Sequence, residues 1–249
     1  MTNTKPTTSL CHATADDIVV RGRSLPRELI GKLTFTDMIY FELTGAEPSV
    51  AQRAILDACL VTLMEHGLTP SAITTRLIYG SAPEAMQGAV AAGLLGVGST
   101  FVGSTEGCAE LLARIVAALD PRAEAKLIAG AHRRLPGFGH PVHKPIDPRT
   151  VALLDLARAQ QQFGAHCRAL EHLSAAVDEV AGRPIVVNVT AAVAAVIADA
   201  GLPIAILRGI SLISRCAGLV GHIREEQQSP AMGALWEGAE SAVPYASDP

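Results

Sequence analysis

The chain has 249 residues, of which 49% are hydrophobic and only 18% charged, with a formal net charge of −4. That length and composition exclude a disordered chain and suit one large domain or two small ones around a real core. The mild acidity argues against a nucleic-acid binder held by bulk charge, whereas anionic small molecules could still be held by local Arg and His clusters.

The first sixteen residues read as a flexible or capping tail, Thr-rich and polar at its start, with no secretory leader pattern. Ile18 to Arg23 is a short extended piece turning at Gly22. Ser24 and Pro26 then mark the start of a helix with Glu28 in its first turn. A helix is expected over 35–44, where Phe35, Met38, Ile39 and Leu43 recur at helical spacing. Pro48-Ser49 opens another, carrying Ile55, Leu56, Cys59, Leu60 and Leu63 inward and ending at His66-Gly67. Further helices are expected at 70–79 and 83–97. In the latter, Gly88, Ala92 and Gly96 form a small-residue face suited to a close helix contact, either internal or between subunits. The uncharged run Ala85–Thr105 reads as a buried helix of a soluble protein rather than a membrane span.

Helices at 107–119 and 122–133 are separated by Asp120-Pro121. Residues 135–149 must be a loop, because Pro136, Gly137, Gly139, Pro141, Pro145 and Pro148 crowd into it. Helices return at 149–162, 166–181, 187–200 and 204–223, with a last short one around 232–241. No strand pattern of useful length is present, so the fold class is all-α.

The five cysteines, Cys11, Cys59, Cys108, Cys167 and Cys216, are scattered and odd in number. They suggest a reducing compartment, the cytoplasm, and neither a disulfide framework nor a zinc finger. The histidines lack zinc spacing, so no metal site is expected. Phosphate-binding glycine motifs and a nucleophile elbow are absent from the sequence.

The loop 135–149 carries the chemistry. His140 and His143 stand beside Lys144, Asp147 and Arg149 among glycines that let a backbone approach a ligand. A neutral histidine can donate to a carbonyl or hydroxyl oxygen, and Arg149 can grip a carboxylate in bidentate fashion. A rigid surface loop with solvated side chains is the plainer alternative. Arg208 and Arg215 lie in a mostly apolar helix, where a charge needs a partner or a ligand. His66, at a helix end, reads more readily as a structural or exposed residue than as a ligand.

Gly137-Phe138-Gly139-His140-Pro141-Val142-His143-Lys144, followed by Asp147-Pro148-Arg149, resembles the signature of the citrate synthase superfamily. Arg21-Gly22, Phe35-Thr36, Leu43 to Pro48, Glu65-His66-Gly67, Asn188-Val189-Thr190, Arg215 and His222 follow in the family's order, so the resemblance spans roughly 18–245. In length and wording the chain is most similar to citryl-CoA lyases. The resemblance implies an all-α homodimer, or higher homo-oligomer, with no nucleic-acid or membrane partner. A large domain (1–104 with 189–249) and a small one (105–188) would close over the site. It implies a coenzyme A thioester as substrate together with an oxo-acid. His140 would bind the oxo-acid carbonyl, Arg149 and Arg215 its carboxylates, and His66 would orient it. Leu135, Pro136, Gly137, Phe138, Gly139 and Lys144 would meet the CoA.

The chain departs from the family in three places. Phe101 stands where synthases carry a histidine, as in citryl-CoA lyases. Thr190 occupies the position of the catalytic aspartate, and a hydroxyl is far too weak a base to replace it directly. Water or another carboxylate would have to serve, and Asp199 lies more than two helical turns away. No arginine occurs in 232–249 to match the one a partner subunit would supply. The implied reaction is cleavage of citryl-CoA, or a related 3-hydroxy-acyl-CoA acid, to acetyl-CoA and oxaloacetate. The alternatives are condensation with a different acyl-CoA and oxo-acid pair, or a catalytically impaired CoA-binding relative.

Overall fold

A computed structural model describes residues 5–98, 104–132, 134–140 and 142–246. It is mostly helical. A small antiparallel sheet comes first: β1 (Cys11–Ala13), β2 (Ile18–Val20) and β3 (Arg23–Ser24), in the order β1-β2-β3. Part of the expected tail is therefore an ordered strand. Its few residues are too short to show any alternation in the sequence. The helix expected after Ser24 is a single π-helical turn, Leu25–Leu29, with Ser24 Oγ accepting the Arg27 N–H.

The helices α1 (Phe35–Thr44), α2 (Val50–Met64), α3 (Pro70–Ser81) and α4 (Met86–Leu95) follow. Next come α5 (Ser104–Ala117), α6 (Pro121–Ala131), α7 (Pro148–Ala159), α8 (Ala165–Ala181) and α9 (Val189–Asp199). A 3-10 turn, Ile204–Ile206, leads into α10 (Leu207–Gln228), and α11 (Met232–Ala242) ends the chain. Local chemistry sets the boundaries. Thr34 with Asp37, and Ser49 with Gln52, form reciprocal capping boxes at α1 and α2. Asp120-Pro121 and Asp147-Pro148 each place an N-cap carboxylate before a proline that needs no N–H partner.

The core centres on α9. Val189 and every residue from Ala191 to Ile197 are buried. Its alanines let α5, α7 and α8 pack closely around it. One apolar cluster runs from Ile39 of α1 through Ile55 and Leu56 of α2, Leu112 of α5 and Leu173 of α8 to Ile210 of α10. A polar tie joins α1 and α2 to the end of α9: Tyr40 Oη and Gln52 Nε2 both donate to the Ala200 carbonyl, at 3.0 and 2.9 Å.

The small-residue contact in α4 lies one position away from the expected face. Gly88 and Gly96 are exposed, whereas Gly93 is buried against α3 and α10. A Cβ on Gly93 would come within 2.0 Å of Thr75 Oγ1 and 2.8 Å of Leu219 Cδ1. Leu95 at the helix end is 87% exposed. Among the described residues one helix, Ile204–Gln228, is long and apolar enough to cross a membrane by length and composition. It holds the buried Arg215 and Glu226, and Glu226 pairs with Arg76 of α3 at 2.8 Å.

Candidate active site

A cleft of about 1100 Å³ opens between the end of α2, the 134–140 loop, the ends of α8 and α9, and the middle of α10. The loop is locked to the segment before α9. Gly139 N–H donates to the Val186 carbonyl at 2.7 Å, and Asn188 N–H donates to the Gly137 carbonyl at 2.9 Å. The Asn188 side chain donates back to the Gly139 carbonyl at 2.9 Å while its Oδ1 caps α9 at Thr190 N–H. Gly137 is required twice over. Its φ is +88°, and a Cβ there would meet Ala191 Cβ at 2.6 Å and Cys108 Sγ at 2.9 Å.

His140 sits at the end of this loop. Its Nδ1 accepts the backbone N–H groups of Val142 (3.1 Å) and His143 (2.9 Å). In the neutral ring the proton is therefore on Nε2, which faces Arg149 Nη2 at 3.4 Å. Two donors so placed call for an acceptor between them, such as a carboxylate or carbonyl oxygen. Burial lowers the His140 pKa, the neighbouring His143 adding to this and Asp147 opposing it. Burial also lowers that of His66, with Arg149 and His143 acting in the same sense.

Arg149 is held by the fully buried Asp147. Oδ1 accepts Arg149 Nε at 3.0 Å, and Oδ2 accepts Nη2 at 2.8 Å and the Val189 N–H at 3.0 Å. Burial alone would raise the Asp147 pKa, but the hydrogen bonds from Arg149 and Val189 outweigh it and hold the carboxyl below its usual range. Arg149 thus keeps the remaining edge of its guanidinium for the cleft.

Arg215 approaches from α10. It is 3% exposed, and its Nε and Nη1 are buried without a hydrogen-bond partner. Burial lowers its pKa and the Glu65 charge opposes that shift. Arg215 also lines the cleft, and a guanidinium there is suited to an anion.

The three imidazoles of His66, His140 and His143 have ligand atoms within 4.8 Å of one another. Arg149 stands beside this trio, so its field favours an anion over a metal ion. The structure brings His66, Leu135 to Gly139, His140, Arg149, Thr190 and Arg215 together on one cleft. Lys144 is exposed and lies outside the cleft wall, and Phe101 lies outside the described residues. Asp199 is not a substitute base. It is buried, and it caps α8 by accepting from Gly164 N–H, His166 N–H and Cys167 N–H.

The sequence reading missed Arg134, Arg183 and His132, which line the outer cleft beside Val180, Ala181 and Ile185. Arg134 directly precedes the Leu135-Pro136 turn, the one signal that could have pointed to it.

Residues 9–235 match the family model described as citrate synthase, C-terminal domain. The chain belongs to the citrate synthase family. Among curated proteins of this family, it is 26% identical to a citrate synthase of Synechocystis sp. over 214 residues, 84% of this chain and 53% of that one. It is 27% identical to a putative citrate synthase 2 of Mycobacterium tuberculosis over 216 residues, 82% of this chain and 56% of that one. The chain thus spans about half the length of these curated relatives. Among solved structures it is similar to citryl-CoA lyase from Hydrogenobacter thermophilus, with a TM-score of 0.88, 29% identity and coverage of 98% of this chain and 95% of that one. The fold also matches part of ATP citrate lyase from Methanothrix soehngenii, solved with citrate and coenzyme A. There the TM-score is 0.79 at 18% identity, over 99% of this chain and 43% of that one.

Proposed function

We propose that this protein is a citryl-CoA lyase-like enzyme, cleaving citryl-CoA or a related 3-hydroxy-acyl-CoA acid into acetyl-CoA and an oxo-acid such as oxaloacetate. The observation that carries the reading is the convergence of unpartnered Arg215 N–H groups, the free edge of Arg149 and the Nε2 proton of His140 on one cleft. That set matches a carboxylate flanking a carbonyl or tertiary hydroxyl. The similarity to a citryl-CoA lyase, at 29% identity and a TM-score of 0.88, supports cleavage.

In this reading His140 Nε2 hydrogen-bonds the oxygen that is a hydroxyl in the substrate and a carbonyl in the product. Arg149 and Arg215 hold the acid, and His66 orients it. The glycine loop meets the CoA moiety, whose phosphates fall to the cations Arg134 and Arg183. In this proposal a large and a small lobe, expected from the sequence, would close over the cleft, and a homodimer in a reducing cytoplasm completes it. The five free thiols support that compartment.

Thr190 favours a second reading, a family member with a different acyl-CoA and oxo-acid pair. Purified protein mixed with citryl-CoA, with oxaloacetate followed through coupled NADH oxidation, separates the two. Rapid release supports the lyase. No release, with turnover of another thioester in a panel, supports the second reading.

A further inference from the structure

Carbon–carbon cleavage beside a thioester needs two proton transfers, one at the oxygen and one at the acyl carbon. His140 is placed for the oxygen. The arginines cannot exchange a proton near neutrality, and the Thr190 hydroxyl is too weak a base. Among the described residues, Glu65 is the one carboxylate that lines the cleft. The neighbouring segments 99–103, 133 and 141 contain no acidic residue. Asp147 and Asp199 are consumed in helix caps.

Glu65 is also held as a working group. Arg76, 3% exposed and a donor only, gives its Nε–H to His222 Nδ1 at 3.1 Å. The His222 proton is thereby fixed on Nε2, which donates to Glu65 Oε2 at 3.1 Å. The opposite oxygen rests over Gly218 of α10, where a Cβ would lie 2.4 Å from Oε1. The glycine leaves room for the carboxylate. Arg76 is itself anchored by Glu226 at 2.8 Å and by Glu225. The chain from α3 through α10 to the end of α2 therefore orients a half-exposed carboxylate toward the cleft.

We propose that Glu65 is the catalytic acid–base at the acyl carbon, serving where this chain has Thr190. The proposal rests on the thioester reading above. In the condensing direction the Glu65 carboxylate takes one proton from the carbon next to the thioester. The C–H electron pair becomes the enolate and then the new carbon–carbon bond. The carbonyl pair moves to oxygen, which keeps the hydrogen bond from His140 Nε2–H and takes its proton from water in the open cleft, and the proton that Glu65 took from carbon neutralises the hydroxide left behind. Cleavage reverses each step, and Glu65 in its acid form protonates the carbon.

The test is Glu65→Gln and Glu65→Asp in the full chain, with citryl-CoA turnover, oxaloacetate affinity by calorimetry, and deuterium uptake into the acetyl-CoA methyl group in D2O. Glu65→Gln is expected to lower kcat and deuterium uptake about 100-fold or more, on the scale of lost general acid–base catalysis. Oxaloacetate affinity should change less than about 3-fold, well under the tenfold that 1.4 kcal/mol represents. Glu65→Asp should keep part of the rate, and Thr190→Asp added to Glu65→Gln should regain at least about tenfold. A kcat for Glu65→Gln close to that of the parent overturns the assignment alone. So does a loss of oxaloacetate affinity as large as the loss of kcat, which would make Glu65 a positioning residue. If Glu65→Gln fails to fold, an Asp variant with unaltered deuterium uptake and no added dependence on its shorter reach overturns it equally. A parent protein that turns over no thioester overturns the functional reading beneath it.

Discussion

The buried carboxylate of Asp147 accepts the backbone N–H of Val189 at 3.0 Å, pinning the start of α7 to the start of α9. The same group holds Arg149, so one side chain couples a helix junction to the edge of the cleft that Arg149 forms. Asp147→Asn is expected to destabilise the fold by about 3 kcal/mol, as when one partner of a buried ion pair is removed. Oxaloacetate affinity should fall with it, because Arg149 loses its anchor. Urea unfolding and calorimetry on the same variant check both arms.

Arg215 invites the opposite result. Its Nε and Nη1 are buried without a hydrogen-bond partner, so Arg215→Met removes an unpaired burden. The variant should be as stable as the parent or slightly more so. It should bind oxaloacetate about 10- to 100-fold more weakly, the loss of a charge-assisted hydrogen-bond pair. A thermal melt and a binding isotherm on one sample decide the matter, and a large fall in Tm would count against an anion site.

Gly137 and Gly139 separate steric from conformational cost. Both have positive φ, +88° and +80°, but a Cβ on Gly139 meets nothing within 4 Å. Gly139→Ala should cost about 1 kcal/mol, the penalty of a left-handed backbone. Gly137→Ala should cost about 3 kcal/mol or more, because Ala191 and Cys108 must also move. Denaturant midpoints for the two variants give the comparison directly.

Acid should loosen α8 first. Asp199 is pulled down to about 2 although burial opposes this, because the His166 side chain and the Cys167 and His166 N–H groups bind its charged form. A depressed folded-state pKa gives stability that is complete above the unfolded value near 4 and is lost as pH falls toward 2. The contribution is about 2 kcal/mol. Asp199→Asn should flatten the stability profile between pH 4 and 2. For His140 and His66 the sign is the same: burial lowers both pKa values, which defers protonation of the rings to lower pH, so turnover should fall on acidification and not as pH rises.

The helices were legible because their signals are local. Pro48-Ser49 and Asp120-Pro121 mark starts that the structure reproduces, with Ser49 and Asp120 as N-caps. The loop glycines and His140 could be picked out for the same reason. What stayed hidden was tertiary. Whether Gly88 or Gly93 faces a neighbour is a matter of a rotation of about 140° that a uniformly apolar helix does not encode. Glu65 was quoted only as the flank of His66, since its role depends on His222 and Arg76, far away in sequence. Arg134 and Arg183 meet at the cleft only once α6 and α8 pack together. Strand β1 is too brief for any periodicity to reveal, whereas the extended piece read at Ile18 to Arg23 stands as β2 and the turn into β3.

The Gly139 and Asn188 amides, bonded to Val186 and Gly137, have a mechanical consequence. The glycine loop that lines the cleft is not a flap hinged on glycines but part of the rigid body built on α9. Any widening of the cleft at this wall must carry loop and helix together. These two amides should exchange with solvent slowly, on the timescale of the core, although they border open water.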